Sequence, residues 1–257
     1  MLHDMLFSVM MISFPLIAGA QLVPIRYTDG NQTLVSLLGK PESINNQSKG
    51  ILILPAWMGI SQHEQDVAVQ LNKMGYFSMV ADIYGSGKYP SNKREAGEIA
   101  TYYKTQTSQY RHRINLALQE FIKAGANADH IIIIGYCFGG TGALEAARSN
   151  MPVEGVVSFH GGLRRDDMYE VKTIKPKVLV LHGADDVYVT QQDILAFQEE
   201  MRKSGADWQM NYYSGAVHAF TDPAAGTDKS TGAAYNQEAD QKSWNDFMTF
   251  LKWVWQN

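Results

Sequence analysis

The chain has 257 residues, a formal net charge of −4 and a single cysteine, Cys137. That length fits one α/β domain with a large buried core. The charge balance disfavours a nucleic-acid partner, because phosphate backbones are bound by basic faces. One cysteine also excludes an intrachain disulfide.

The first twenty residues differ in composition from the rest of the chain. They carry one charged side chain and an apolar run that ends at Ala18-Gly19-Ala20, the small-x-small pattern of a cleavage site. We therefore expect residues 1–20 to be a secretory signal peptide. Residues 21–257 would then form one mature domain, periplasmic or secreted and free of the membrane. Because no Lys or Arg precedes the run, an uncleaved anchor or a misassigned start codon of a cytoplasmic protein is the alternative.

The patterns that follow predict an antiparallel hairpin and then strands that alternate with helices. A turn at Asp29-Gly30 joins the hairpin strands 23–27 and 33–38. Buried strands are predicted for the apolar runs 51–54, 77–81, 131–134, 153–159, 177–181 and 208–213. Helices are predicted after Ser61, over 91–104, through 114–122, after Cys137, around 194–201 and over 244–255. Such alternation is typical of a mostly parallel sheet with helices on both faces.

Two of these helices carry further signals. Ser61 and Glu64 have the spacing of a capping box, in which each side chain satisfies a free N–H group at the helix start. The last helix carries an aromatic and aliphatic stripe that begins at Trp244, and we interpret this stripe as core rather than as a binding surface.

The most informative stretch follows four consecutive isoleucines. It reads Gly-Tyr-Cys-Phe-Gly over residues 135–139 and leads into a predicted helix. A strand, a sharp turn and a helix in this order make a nucleophile elbow, here with cysteine in the position where serine is usual. A lone cysteine is by default a small buried hydrophobe, but at this position we interpret Cys137 as a nucleophile. The positive end of the following helix would favour its thiolate.

A nucleophilic thiol needs a base and an acid that orients the base. In elbow enzymes these residues follow the nucleophile in the order acid, then base. Asp185 or Asp186 ends a predicted strand, and the spacing from Gly183 favours Asp186, with Asp185 as a turn or cap residue. His218 is the only histidine after them, so we predict that it is the base.

The remaining histidines have weaker signals. His63 is expected on a helix surface, whereas His160 and His182 follow predicted strands near the expected site. These two are either satisfied turn histidines or donors behind the catalytic residues. No cluster of His and Asp has the spacing of a metal site, so we predict neither a metal nor a cofactor.

Two backbone N–H groups are expected to bind the oxyanion that forms during acyl transfer. One belongs to Phe138, directly after the nucleophile. The other belongs to the loop after strand 51–54, and Trp57 is the predicted donor.

With these motifs the chain resembles the dienelactone hydrolase family of α/β hydrolases. The marks are GYCFGG at 135–140, ADIYG at 81–85, GADD at 183–186 and GAVHAF at 215–220. The resemblance covers nearly all of the mature chain and implies an α/β-hydrolase fold. It also implies Cys137 as nucleophile, His218 as base and Asp186 as orienting acid. The implied reaction is hydrolysis of a small ester or lactone through a thioester, and we expect a monomer.

Two positions depart from the family pattern. Characterised members carry a glutamate where this chain has Ala56, and a substrate-binding arginine where it has Asp222. Because Asp222 would repel a carboxylate, we expect a neutral ester or lactone rather than dienelactone itself. Two alternatives use the same scaffold, namely a non-catalytic binding protein and an acyltransferase with the same triad.

Overall fold

The computed structural model describes residues 21–41 and 49–255, so the predicted signal peptide lies outside the described residues. The strands in these ranges are β1 (Val23–Asp29), β2 (Gln32–Gly39), β3 (Gly50–Leu54), β4 (Phe77–Val80), β5 (Ile131–Tyr136), β6 (Gly155–Phe159), β7 (Lys177–Gly183) and β8 (Trp208–Tyr213). The α-helices are α1 (Gln62–Lys73), α2 (Lys93–Thr105), α3 (Thr107–Lys123), α4 (Phe138–Arg148), α5 (Gln191–Ser204) and α6 (Gln237–Trp255). No helix in these ranges combines the length and apolarity needed to cross a membrane.

The strands form one sheet in the order β1-β2-β4-β3-β5-β6-β7-β8. The β1–β2 and β2–β4 pairs are antiparallel, and every other neighbouring pair is parallel. This arrangement confirms the predicted mostly parallel sheet. The predicted hairpin is its antiparallel edge.

The four isoleucines of β5 explain why helices cover both faces of the sheet. Ile131 and Ile133 pack into a core with α3 and α4, whereas Ile132 and Ile134 pack into a second core with α1 and α6. All four side chains are fully buried, and burying each one contributes about 1.5–3 kcal/mol. A strand that is apolar at every position is therefore stable only in the middle layer.

The parallel strands end at the same edge of the sheet, and the candidate site residues predicted from the sequence lie at this edge. Cys137 follows β5, His160 follows β6 and Asp186 follows β7. His218 lies in the loop after β8, and Trp57 lies in the loop after β3. In open α/β sheets this is the edge at which ligands bind.

Candidate active site

The turn at Cys137 is an elbow with a strained backbone. Cys137 has φ 52° and ψ −110°, in the left-handed region that side chains rarely adopt. A Cβ at Gly135 would lie 2.0 Å from the carbonyl oxygen of Gly139, and one at Gly139 would lie 2.1 Å from that of Leu54. Only glycine fits at either position, so the predicted motif has a direct steric cause.

The structure brings the three predicted catalytic residues into hydrogen-bonding contact. His218 Nε2 lies 3.0 Å from Cys137 Sγ, and His218 Nδ1 lies 2.8 Å from Asp186 Oδ2. The Asp186 side chain is fully buried and that of His218 is 13% exposed. The neighbouring Asp185 is exposed, and its backbone N–H donates to Ala216.

The electrostatics of the pair favour a thiolate and an imidazolium. Burial alone would raise the pKa of the Cys137 thiol, but the charge and hydrogen bond of His218, with the Phe138 N–H, lower it below its ordinary value. Lys104 makes a smaller contribution in the same direction. Burial alone would lower the pKa of His218, but the Cys137 thiolate and the Asp186 carboxylate raise it to about 10. Both shifts favour the state in which the proton is on the imidazole.

The two predicted oxyanion donors follow neighbouring strands of the sheet, since Phe138 comes after β5 and Trp57 comes after β3. The Phe138 N–H reaches the sulfur of Cys137. The Trp57 N–H has no hydrogen-bond partner within the described part of the chain, whereas the Trp57 carbonyl accepts from the Tyr84 hydroxyl at 2.8 Å. That bond ties down the loop but leaves the Trp57 N–H free to act as a donor.

Glu64 fixes the same loop from the other side. The predicted capping box with Ser61 is present at the start of α1. The other carboxylate oxygen of Glu64 accepts the Ala56 N–H at 3.0 Å, and the side chain is fully buried. A glutamate eight residues along the chain thus contacts Ala56, the position that carries glutamate in other family members. The capping-box signal located Glu64 but gave no indication of this second contact.

His160 lies directly behind the thiol and is neutral. Its Nδ1 accepts the Cys137 N–H at 3.2 Å, and its Nε2 lies 2.9 Å from the Thr221 hydroxyl. Burial lowers the pKa of His160 well below its ordinary value, and the charge of His218 lowers it further. With Nδ1 accepting, we assign the ring proton to Nε2, which donates to Thr221. His160 is therefore not a proton donor to the thiol but supports the backbone of the elbow.

His63 has a contact that the sequence prediction does not include. It lies on α1, as predicted, but it is only partly exposed and its Nε2 lies 3.4 Å from the Thr221 hydroxyl. Its ring also meets that of Tyr136 edge-on, with centroids 4.7 Å apart. The loop after β8 covers the first turn of α1, and the helical pattern of α1 alone cannot show this.

In the described part of the chain, the side chains of two other positions from the sequence analysis form no hydrogen bond with the three predicted catalytic residues. His182 is buried against the ring of Tyr212, and its Nδ1 has no hydrogen-bond partner within 21–41 and 49–255. Asp222 accepts the Ala224 N–H at 2.9 Å and caps a short 3-10 helix. Asp222 also lines a separate cavity with His63.

Buried aromatic rings pack next to the elbow. The Tyr84 ring lies 5.6 Å from that of Phe138 and 5.7 Å from that of Tyr103. The ring of Tyr188 lies edge-on to that of His218, with centroids 5.2 Å apart, and Tyr188 is 60% exposed. The residues described in the structure contain no cluster of three or more His, Cys, Asp and Glu that could hold a metal ion.

Together, the mostly parallel sheet, the strained elbow and the residues gathered at the carboxyl edge of the strands define an α/β hydrolase. The family model described as "Dienelactone hydrolase family" matches residues 34–255. The chain belongs to the dienelactone hydrolase family and is a hydrolase of the lactone and ester class.

Individual relatives agree with this assignment. A probable 2-oxo-3-(5-oxofuran-2-ylidene)propanoate lactonase of a Bradyrhizobium species is 26% identical, with 88% of this chain and 91% of that protein covered. The solved structure of m3DLH is 32% identical with a TM-score of 0.87, covering 92% of this chain and 99% of that one. A dienelactone hydrolase-like promiscuous phosphotriesterase from metagenomic libraries is 29% identical with a TM-score of 0.85, over the same shares of the two chains.

Proposed function

We propose that the chain hydrolyses a carboxylic ester or lactone with Cys137 as nucleophile, His218 as acid and base, and Asp186 as orienting group. The observation that carries this proposal is the continuous contact from thiol to imidazole to carboxylate, at 3.0 and 2.8 Å. The opposite pKa shifts of Cys137 and His218 support it, because they leave the nucleophile already ionised.

In the first half of the reaction, the Cys137 thiolate attacks the carbonyl carbon. The carbonyl oxygen becomes an oxyanion and accepts hydrogen bonds from the backbone N–H groups of Phe138 and Trp57. Loss of one such donor costs on the order of 3 kcal/mol of transition-state stabilisation. The intermediate collapses to a thioester, and His218 gives its Nε2 proton to the departing alkoxide. In a lactone the alkoxide stays attached, so ring opening leaves a hydroxyacyl thioester.

In the second half, water replaces the alcohol. His218 takes a proton from the water as the water oxygen attacks the thioester carbon, and the same N–H groups bind the second oxyanion. Collapse releases the carboxylic acid, which loses its proton to solvent, and restores the Cys137 thiolate beside the protonated His218. Asp186 accepts from His218 Nδ1 throughout, so Nε2 stays directed at the sulfur.

We propose a neutral, partly apolar substrate. The wall next to the thiol is aromatic, and the two arginines of α3 are held in ion pairs with other residues. Arg111 pairs with Glu145 at 2.7 Å and Arg113 pairs with Asp29 at 2.8 Å. Arg113 is also buried. If an anionic substrate is hydrolysed faster, Lys104 is the residue to substitute, because its positive charge acts on the Cys137 thiol.

The test is hydrolysis of nitrophenyl esters of increasing acyl length, neutral five- and six-membered lactones, and cis- and trans-dienelactone. We expect turnover of neutral substrates that Cys137→Ala abolishes while its circular dichroism spectrum stays unchanged. Faster turnover of the anionic dienelactones would contradict the neutral-substrate proposal but not the triad. A folded chain that reacts with iodoacetamide at Cys137 yet turns over no substrate would favour the binding-protein alternative. Ester product formed with an added alcohol would favour acyl transfer.

We propose export as the fate of the chain on the sequence pattern of residues 1–20. The intact mass of protein isolated from its native host tests this proposal. A mature chain that begins at Gln21 is expected. A chain that still begins at Met1 would contradict export by a cleaved signal.

A further inference from the structure

A second cavity lies next to the active site, between α1 and α6 at the carboxyl edge of the sheet. Its volume is about 640 Å³. The walls are formed by the first turns of α1, the segment 221–224 and the first half of α6, and Tyr136 and Phe159 line the cavity from the sheet. Cys137, Asp186 and His218 do not line it, so the proposed reaction leaves this cavity without a role.

The charge of the cavity is negative. Asp66, Asp222 and Asp240 come from three different elements, and the lining contains neither Lys nor Arg. Among the described residues, none of the three carboxylates forms an ion pair. Burial raises the pKa of Asp240 despite a hydrogen bond from Tyr235 and the charge of His63. Within the described ranges, none of the three carboxylates therefore pairs with a Lys or Arg, and His63 is the one basic side chain in the lining.

A second and independent observation points to a ligand. Tyr136 is 1% exposed, and its hydroxyl has no hydrogen-bond partner in the part of the chain that the structure describes. Burial, with the nearby charges of Asp240 and Glu64, raises its pKa well above the ordinary value, so the phenol is neutral. Leaving a buried polar group without a partner costs about 1–3 kcal/mol. A ligand that donates a hydrogen bond to the phenol oxygen would remove this cost.

The walls are also aromatic. Tyr136 stacks on Phe159 with ring centroids 4.6 Å apart, and the partly exposed Trp244 of α6 also lines the cavity. Aromatic faces next to carboxylates attract organic cations, because the rings bind the apolar group and their π electrons attract positive charge. A bare metal ion fits less well, because no three acidic or histidine side chains of the described residues converge on one point.

We propose that this cavity is a binding site for a small organic ammonium ion that carries an apolar or aromatic group. The ammonium group lies between the carboxylates and donates to the Tyr136 oxygen, and the apolar group packs against Trp244. Trp244 is therefore a wall of this site as well as part of the stripe that packs α6 onto the sheet.

The test is calorimetric titration of the full chain with 2-phenylethylammonium chloride, with 2-phenylethanol as the neutral analogue of the same shape. We expect one site that binds the ammonium at least about tenfold more tightly than the alcohol, since a charge-assisted hydrogen bond is lost with the charge. Asp240→Asn should lower the affinity for the ammonium about tenfold and leave the affinity for the alcohol unchanged. Binding should persist after alkylation of Cys137, which separates this site from the proposed catalytic one.

Glu238→Gln is the matched control. It removes the same charge from the same helix, but its side chain is 77% exposed, pairs with Lys242 and does not line the cavity. An equal loss of affinity for the ammonium in Glu238→Gln and Asp240→Asn would show that only the overall charge of the protein matters, and it would overturn the proposal. So would the absence of saturable binding, or equal affinity for the alcohol. Should Asp240→Asn fail to fold, Asp66→Asn, at an exposed position, takes its place with the same expected direction.

Discussion

The turns after β6 and β8 each bring a histidine to Cys137, and the pKa values of the two imidazoles are shifted in opposite directions. The rings of His160 and His218 lie 5.3 Å apart. Burial lowers the pKa of both, yet that of His160 falls well below its ordinary value while that of His218 rises to about 10. The partners decide the difference. His218 faces a thiolate and a carboxylate, whereas His160 faces a backbone N–H and a hydroxyl.

This difference gives the proposed site a single proton carrier. A second charged imidazole would repel the first and compete for the thiolate, because like charges at this separation in a buried site oppose each other strongly. A neutral His160 can instead accept the Cys137 N–H and stabilise the strained elbow. Burial alone therefore does not assign a role to a histidine, and the hydrogen-bond partners of both ring nitrogens must be known.

The largest effect is expected from His218→Ala, which removes the charged member of the pair. Turnover of any substrate found for the chain should fall by on the order of 10⁴-fold. The pKa of Cys137 should rise, because its principal opposing charge is gone. The rate of alkylation by iodoacetamide should then increase with pH over the ordinary thiol range instead of being high at neutral pH.

His130→Ala is the control for this loss, since His130 is another partly exposed histidine that pairs with Glu154 away from the thiol. It should retain full turnover and the same alkylation profile. An alkylation profile of His218→Ala identical to that of the unsubstituted chain would contradict the ion pair.

Asp186→Asn is expected to have the next largest effect. The hydrogen bond and charge of Asp186 raise the pKa of His218, so their loss should lower it and shift the proton back towards the sulfur. Turnover should fall by about 10²–10³-fold, and more at low pH than at high pH, because less thiolate remains as pH falls. Asp185→Asn, at the exposed neighbouring position, should change turnover less than about twofold, within the range of surface substitutions. Equal losses in both variants would contradict the choice of Asp186.

The features predicted from sequence are those with local causes. Four isoleucines predict a buried strand because both faces of β5 are covered. The glycines beside Cys137 indicate the elbow because a Cβ at either position would meet backbone atoms. Chain order then indicated His218, and chain order together with the spacing from Gly183 indicated Asp186. In the structure His218 contacts the thiol and Asp186 contacts His218. Their catalytic roles stay a prediction that the substitutions above test.

The features that sequence did not show depend on contacts between distant segments. Thr221 is 158 residues from His63, yet their side chains approach within 3.4 Å. No periodicity reports such a contact, so the helical pattern of α1 places His63 on the helix surface without showing its partner. Arg113 of α3 is a second case, because its burial depends on an ion pair with Asp29 of the β-hairpin. In each case the partner of a polar residue lies on a segment that is distant in the sequence.

A smaller effect on turnover is expected from His160→Gln. This substitution tests whether His160 acts only by accepting the Cys137 N–H, in contrast to the charged His218. The Cys137 N–H also donates to the Phe159 carbonyl at 3.0 Å, so the substitution weakens one of two bonds. A net hydrogen bond contributes about 1 kcal/mol, which corresponds to a loss of about fivefold in turnover. The pH dependence of alkylation should not change, because His160 is neutral. A shifted profile would show that His160 carries charge and would remove the contrast with His218.

The smallest effect on turnover is expected from Thr221→Val, which keeps the shape of the side chain and removes its hydroxyl. His160 Nε2–H would lose its acceptor in a buried position, so the free energy of unfolding should fall by about 1–3 kcal/mol, measured by urea denaturation. Turnover should stay within about threefold, because neither the thiol nor His218 contacts the lost oxygen. Thr221→Ser retains the hydroxyl and should recover most of the stability. Equal stability of the Ser and Val variants would mean that the Thr221 hydroxyl is not the acceptor of the His160 proton, and the tautomer assigned to His160 would then be wrong.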